Sequence, residues 1–120
     1  MAKTDLEYWR SRCQAKVGSV EETPFGPETL VYKVGGKMFA LMGVEPPLSI
    51  NLKCDPQEAM ILRDTFAEVI PGYHMNKKHW NTVALDTQLD QNLILGWIDD
   101  SYDLVVKGLP KKVQSALKPS

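Results

Sequence analysis

Leu30-Val-Tyr-Lys-Val34, Gly35-Gly36 and Lys37-Met-Phe-Ala-Leu-Met42 form the stretch whose reading decides the fold. Two runs of β-branched, aromatic and other apolar residues flank a pair of glycines. A type I′ turn needs positive φ at both central residues, which glycine adopts without steric cost. The spacing therefore predicts an antiparallel hairpin. A two-residue loop sets Tyr32 opposite Phe39, with Leu30 and Leu41 on the same side. Val31, Lys33, Met38 and Ala40 take the other side.

Downstream, Leu48-Ser-Ile-Asn-Leu-Lys53 alternates apolar and polar residues, which predicts a third strand with one wet face, as in an antiparallel meander. Asp55-Pro-Gln-Glu58 then has the form of a helix start. Aspartate caps, proline takes the first helical position, and glutamate reaches back. Ala59, Leu62, Phe66 and Val69 recur at helical spacing, and Pro71-Gly72 ends the helix. Tyr73-His-Met75 and Trp80-Asn-Thr-Val-Ala-Leu85 read as a second hairpin joined by Asn76-Lys-Lys-His79. A last long helix is expected over 90–107, with Ile94, Ile98, Tyr102 and Val105 inward and Asp99, Asp100 and Asp103 outward. Gly108 and Pro110 stop it. Residues 111–117 make a further short amphipathic turn or two.

Upstream of the meander, Leu6, Trp9, Cys13 and Val17 share one helical face over 4–17, with Thr4 and Glu7 as a capping box. The segment 21–27 reads as a loop, because Pro24, Gly26 and Pro27 deny it a ladder. Strands and helices are thus segregated. The expected architecture is α+β, one antiparallel sheet packed by helices on one face. It forms a single domain over residues 1–120.

The 120 residues are 43% hydrophobic and 24% charged, with a net charge of −1. That is enough apolar material for one core without a staple. It is no basic excess, so binding to a polyanion has to come from a local patch. Two cysteines without CxxC spacing, a charged first ten residues and no apolar run of bilayer length point to a cytoplasmic chain with reduced thiols and no membrane contact. His74 and His79, the two histidines, lack a third ligand at metal spacing, so neither a metal nor a cofactor is expected. No P-loop, GxGxxG, GxSxG or HExxH motif occurs, and no enzymatic role is expected.

Four strings carry a resemblance: Thr23-Pro-Phe-Gly-Pro27, Val34-Gly-Gly-Lys-Met-Phe-Ala-Leu41, Pro71-Gly-Tyr-His-Met-Asn-Lys-Lys-His-Trp-Asn-Thr-Val83 and Ser101-Tyr-Asp-Leu-Val-Val-Lys-Gly-Leu-Pro-Lys-Lys112. Together they resemble the MmcQ/YjbR family of small bacterial proteins over nearly the whole chain. The resemblance implies a CyaY/frataxin-like α-β sandwich and a DNA-binding role through a "double wing" of two projecting hairpins. On this sequence the wings are the Gly35-Gly36 hairpin and the Asn76 to His79 hairpin. Lys33, Lys37, Lys77 and Lys78 are their cations. Frataxins place an acidic ridge on the first helix, but Arg10, Arg12 and Lys16 stand here beside Asp5 and Glu7, so no iron role carries over.

Asn76, Lys77, Lys78, His79 and Trp80 are the candidate contact residues, together with Lys33 and Lys37. Lysines at a turn reach adjacent phosphates, histidine donates to phosphate, and an exposed tryptophan stacks on a base. The same pattern also fits lysines that solubilise a turn above a core tryptophan. Two other functions remain open. One is a protein-interaction or homodimer module whose patch is Trp80, Tyr73 or Met38. The other is a small-ligand protein with His74 and Asn81 in a pocket. Lys107, Lys111 and Lys112 suit the negative end of the last helix and could extend a basic surface.

Overall fold

A computed structural model describes residues 6–72 and 75–117. Helix α1 covers Leu6–Gln14 and is followed by strands β1 (Val20–Glu22), β2 (Thr29–Val34), β3 (Lys37–Gly43) and β4 (Ser49–Lys53). Then come α2 (Pro56–Thr65), β5 (Val69–Pro71), β6 (Trp80–Ala84), α3 (Gln91–Lys107) and α4 (Lys111–Leu117). All neighbouring strands are antiparallel, in the order β1-β2-β3-β4-β6-β5. The expected α+β fold, with one antiparallel sheet packed by helices, is what the chain adopts.

The core lies between the sheet and the helices. Tyr32, Phe39, Met42, Ile50 and Val83 from the strands meet Trp9 and Cys13 of α1 and Ile94, Ile98 and Val105 of α3. Burying one such side chain contributes about 1.5–3 kcal/mol. Phe39 and Tyr102 pack edge to face at 5.3 Å, which fastens α3 across β3.

The hairpin register departs from the simple two-residue reading. Val34 pairs Lys37 and Lys33 pairs Met38 as expected, but Tyr32 then pairs Ala40, not Phe39. Phe39 is the extra residue of a β-bulge, which shifts everything beyond it. Leu30 therefore stands opposite Met42 in the core. Leu41 crosses to the other face, opposite Val31 and Asn51.

Three boundaries also differ. Helix α1 stops at Gln14, and Val17, expected on its buried stripe, is 51% exposed. Residues 20–22, placed in or beside a loop from the sequence, pair with β2 as an edge strand. The prolines that deny a ladder begin only at Pro24. Helix α2 ends at Thr65, and Val69, read as helical, opens β5. The second hairpin is thus Val69–Pro71 against Asn81–Val83, with Met75 in a bend of the connection. The capping role of Thr4 and the strand positions of Tyr73 and His74 lie outside the described residues. Gly108 closes α3 at φ −84, so this helix end does not use left-handed backbone.

Candidate nucleic-acid interface

Strand direction decides where the two lysine-bearing turns stand. β2 runs up to Gly35-Gly36 and β3 runs back from it. β4, antiparallel to β3, ends at Lys53 on that same side, and β6 begins there, with Trp80 opposite Lys53. Both turns therefore project from one end of the sheet. Only β4 separates β3 from β6. Two strand spacings are about 10 Å.

The first tip is a tight turn with φ of 58 at Gly35 and 80 at Gly36, the positive values that the sequence required. Lys37 beside it is exposed. Lys33 is not free: its ammonium lies 3.1 Å from Glu22 of β1. That pairing depends on β1, whose residues 20–22 form an edge strand against β2.

The second tip is a braced loop. The Asn76 side chain accepts from the Lys78 amide at 2.9 Å, and its backbone carbonyl accepts from His79 and Trp80. Asn76 thus shapes the turn with the group that the sequence assigned to a ligand. The Cys54 amide donates to the His79 carbonyl at 2.7 Å, and Gly72 closes the base by donating to Trp80. A Cβ at Gly72 would stand 2.8 Å from Trp80 Cβ, so only glycine allows this closure. Lys77 and Lys78 are exposed and His79 is half-buried. Trp80 is 8% exposed, so no open ring is available for base stacking or for the core of a dimer patch. Met38 is half-buried, and Tyr73, the third residue of that patch, lies outside the described residues.

Two positioning residues were missed from sequence. Arg63 of α2 donates to Asn81 Oδ1 at 2.7 Å, to the Trp80 carbonyl at 3.3 Å and to the Lys77 carbonyl. It therefore ties the second tip to the helix layer. Ser101 of α3 is fully buried, accepts from the Lys53 amide at 2.8 Å and donates to the Phe39 carbonyl at 2.6 Å. It fixes the bulge of the first hairpin to the end of β4. A serine on a helix carries no local signal of this, because its partners are 48 and 62 residues away.

On the helix side of the same end, a cleft between α2 and α3 is lined by Cys54, Asp55, Glu58, Asp100, Asp103 and Lys107. Burial, then Glu58, Asp55 and Asp100, push the Cys54 thiol up to about 11. Asp99 pairs with Lys16. No cluster of His, Cys, Asp and Glu suited to a metal ion occurs among the described residues. No helix among them is long and apolar enough to cross a membrane.

An antiparallel six-stranded sheet with four helices and two turns at one end defines a small α+β domain of a recurrent type. The YjbR family model matches residues 14–104, and the chain belongs to that family. It is 43% identical over 97 residues to the uncharacterised protein YbdF of Escherichia coli O157:H7, covering 80% of each chain. It is 34% identical over 106 residues to the uncharacterised protein YjbR of Escherichia coli K12, covering 88% of this chain and 90% of the relative. The crystal structure of Deinococcus radiodurans protein DR2400, a DUF419 domain, superposes with a TM-score of 0.89 at 38% identity. That match covers 98% of this chain and 90% of the other.

Proposed function

We propose that this chain is a cytoplasmic, non-catalytic DNA-binding domain that holds phosphates between its two hairpin tips. The observation that carries the reading is the shared sheet end, which turns two separate lysine-bearing turns into one surface. Strands about 10 Å apart match the width of a duplex major groove, about 12 Å. Lys37, Lys77 and Lys78 supply the phosphate contacts. Lys33, with its charge already met by Glu22, contributes less than its sequence position suggested. The carboxylates of the α2–α3 cleft repel phosphate on the helix side, so the duplex approaches from the tips and the uncovered face. Contacts of this kind position a duplex without reading its sequence.

Fluorescence anisotropy of a labelled duplex across a salt series tests the reading. Three phosphate contacts give a slope of log affinity against log salt near −2.7 from the wings alone. The double substitution Lys77→Glu with Lys78→Glu should remove most of the binding. Affinity that ignores salt, or that survives this charge reversal, refutes the proposal.

A further inference from the structure

The first tip is not a bare hairpin. A Cβ at Gly35 would meet Leu109 Cδ1 at 2.6 Å and Val113 Cγ1 at 3.3 Å. The α3–α4 turn and the start of α4 therefore sit directly against the tip. Leu109 is buried in that contact. The turn is held by its own bonds. Gln114 Nε2 donates to the Leu109 carbonyl at 2.7 Å and the Lys107 carbonyl at 3.2 Å. The Val113 and Gln114 amides donate to Pro110. Lys111 and Lys112 are exposed on this platform, which packs on the first tip through Leu109 and Val113. Among the described residues neither has an ion-pair partner within 4 Å.

We propose that the first turn of α4, carrying Lys111 and Lys112, is a third contact element for the duplex backbone, docked on the first wing. The inference rests on the DNA-binding reading and goes beyond the two wings. The partner is double-stranded DNA, whose paired strands present dense phosphate charge. A single strand is held largely by stacking on exposed aromatic rings, and Trp80 at this end offers none. The element has a clear physical basis. Ammonium groups on a mobile tail lose entropy on binding, whereas a helix wedged on Gly35 presents them already ordered.

The test uses the full chain, a labelled duplex and the same salt series. Five contacts predict a slope near −4.5, and each lysine removed lowers its magnitude by about 0.9. Lys111→Gln with Lys112→Gln should therefore bring the slope to about −2.7. Arg12→Gln removes one charge on α1, where the guanidinium lies over Tyr8, and should leave the slope unchanged. A matched single strand should bind at least tenfold more weakly than the duplex. If the chain binds duplex through Lys77 and Lys78 but Lys111→Gln with Lys112→Gln leaves the slope intact, this third element is refuted while the wings stand. An equal drop from Arg12→Gln refutes it too, because net charge alone would then account for the effect. Loss of salt-dependent binding in the unmodified chain removes both readings together.

Discussion

Ser101→Ala is the sharpest probe of how the helix layer holds the two tips in register. The hydroxyl bridges the Lys53 amide at 2.8 Å and the Phe39 carbonyl at 2.6 Å inside a fully buried environment. Alanine fits the space but leaves one donor and one acceptor without a partner. Each such group costs about 1–3 kcal/mol, so a loss of about 2–6 kcal/mol is expected. That is a large share of the roughly 5–15 kcal/mol that holds a domain together. The assay is urea unfolding followed by tryptophan fluorescence. With a slope of about 1.5 kcal/mol/M, the midpoint should fall by about 1.3–4 M. Hydrogen exchange at the Lys53 amide should accelerate in parallel, because that amide loses the bond to Ser101. A stability change below about 1 kcal/mol, with Lys53 still protected, would show that the bridge is not what fixes the bulge to β4.

Acid should weaken the fold through Glu21. Arg10 first, then Tyr32 and Gln14, hold its carboxyl below the usual carboxylate range, against the opposing effect of burial. A depressed folded pKa gives stability that is present above the unfolded value, near about 4.3, and is lost as pH falls through the folded one. Glu21→Gln should flatten the urea midpoint against pH below about 4.5, and an unchanged acid limb would contradict this. The thiols should be slow toward a disulfide reagent near neutral pH. Burial pushes Cys13 up to about 12 and Cys54 up to about 11. Cys54, half-buried, should react as pH rises toward about 11, whereas Cys13 should react only on unfolding; rapid labelling of either thiol at about pH 7 would contradict the assigned environments.

Much of the architecture follows from local chemistry. Gly35-Gly36 between two β-prone runs accepts the positive φ of a type I′ turn without steric cost, and the turn forms with positive φ at both positions. Asp55 followed by Pro56 starts α2 where the sequence placed it, with the carboxylate accepting from Gln57 and Glu58. Leu48, Ile50 and Leu52 alternate inward because only one face of β4 is covered. These outcomes rest on interactions within a few residues, so a linear reading captures them. The sequence alone also determined that any basic surface had to be local, since the net charge is −1.

The tertiary structure decided everything that depends on partners distant in the chain. The bulge at Phe39 reverses the face of Leu41, and no local preference specifies it. Val69 leaves its helical pattern because a free β6 edge offers it ladder hydrogen bonds. Trp80 lies buried, which withdraws the aromatic platform that an exposed turn suggested. Lys33 meets Glu22 across an edge strand, and Leu109 meets Gly35 across more than seventy residues of chain. Spacing along a strand or helix is written in the order of residues. Which turns share one end, and that Lys33 there meets Glu22, is set by how the elements pack.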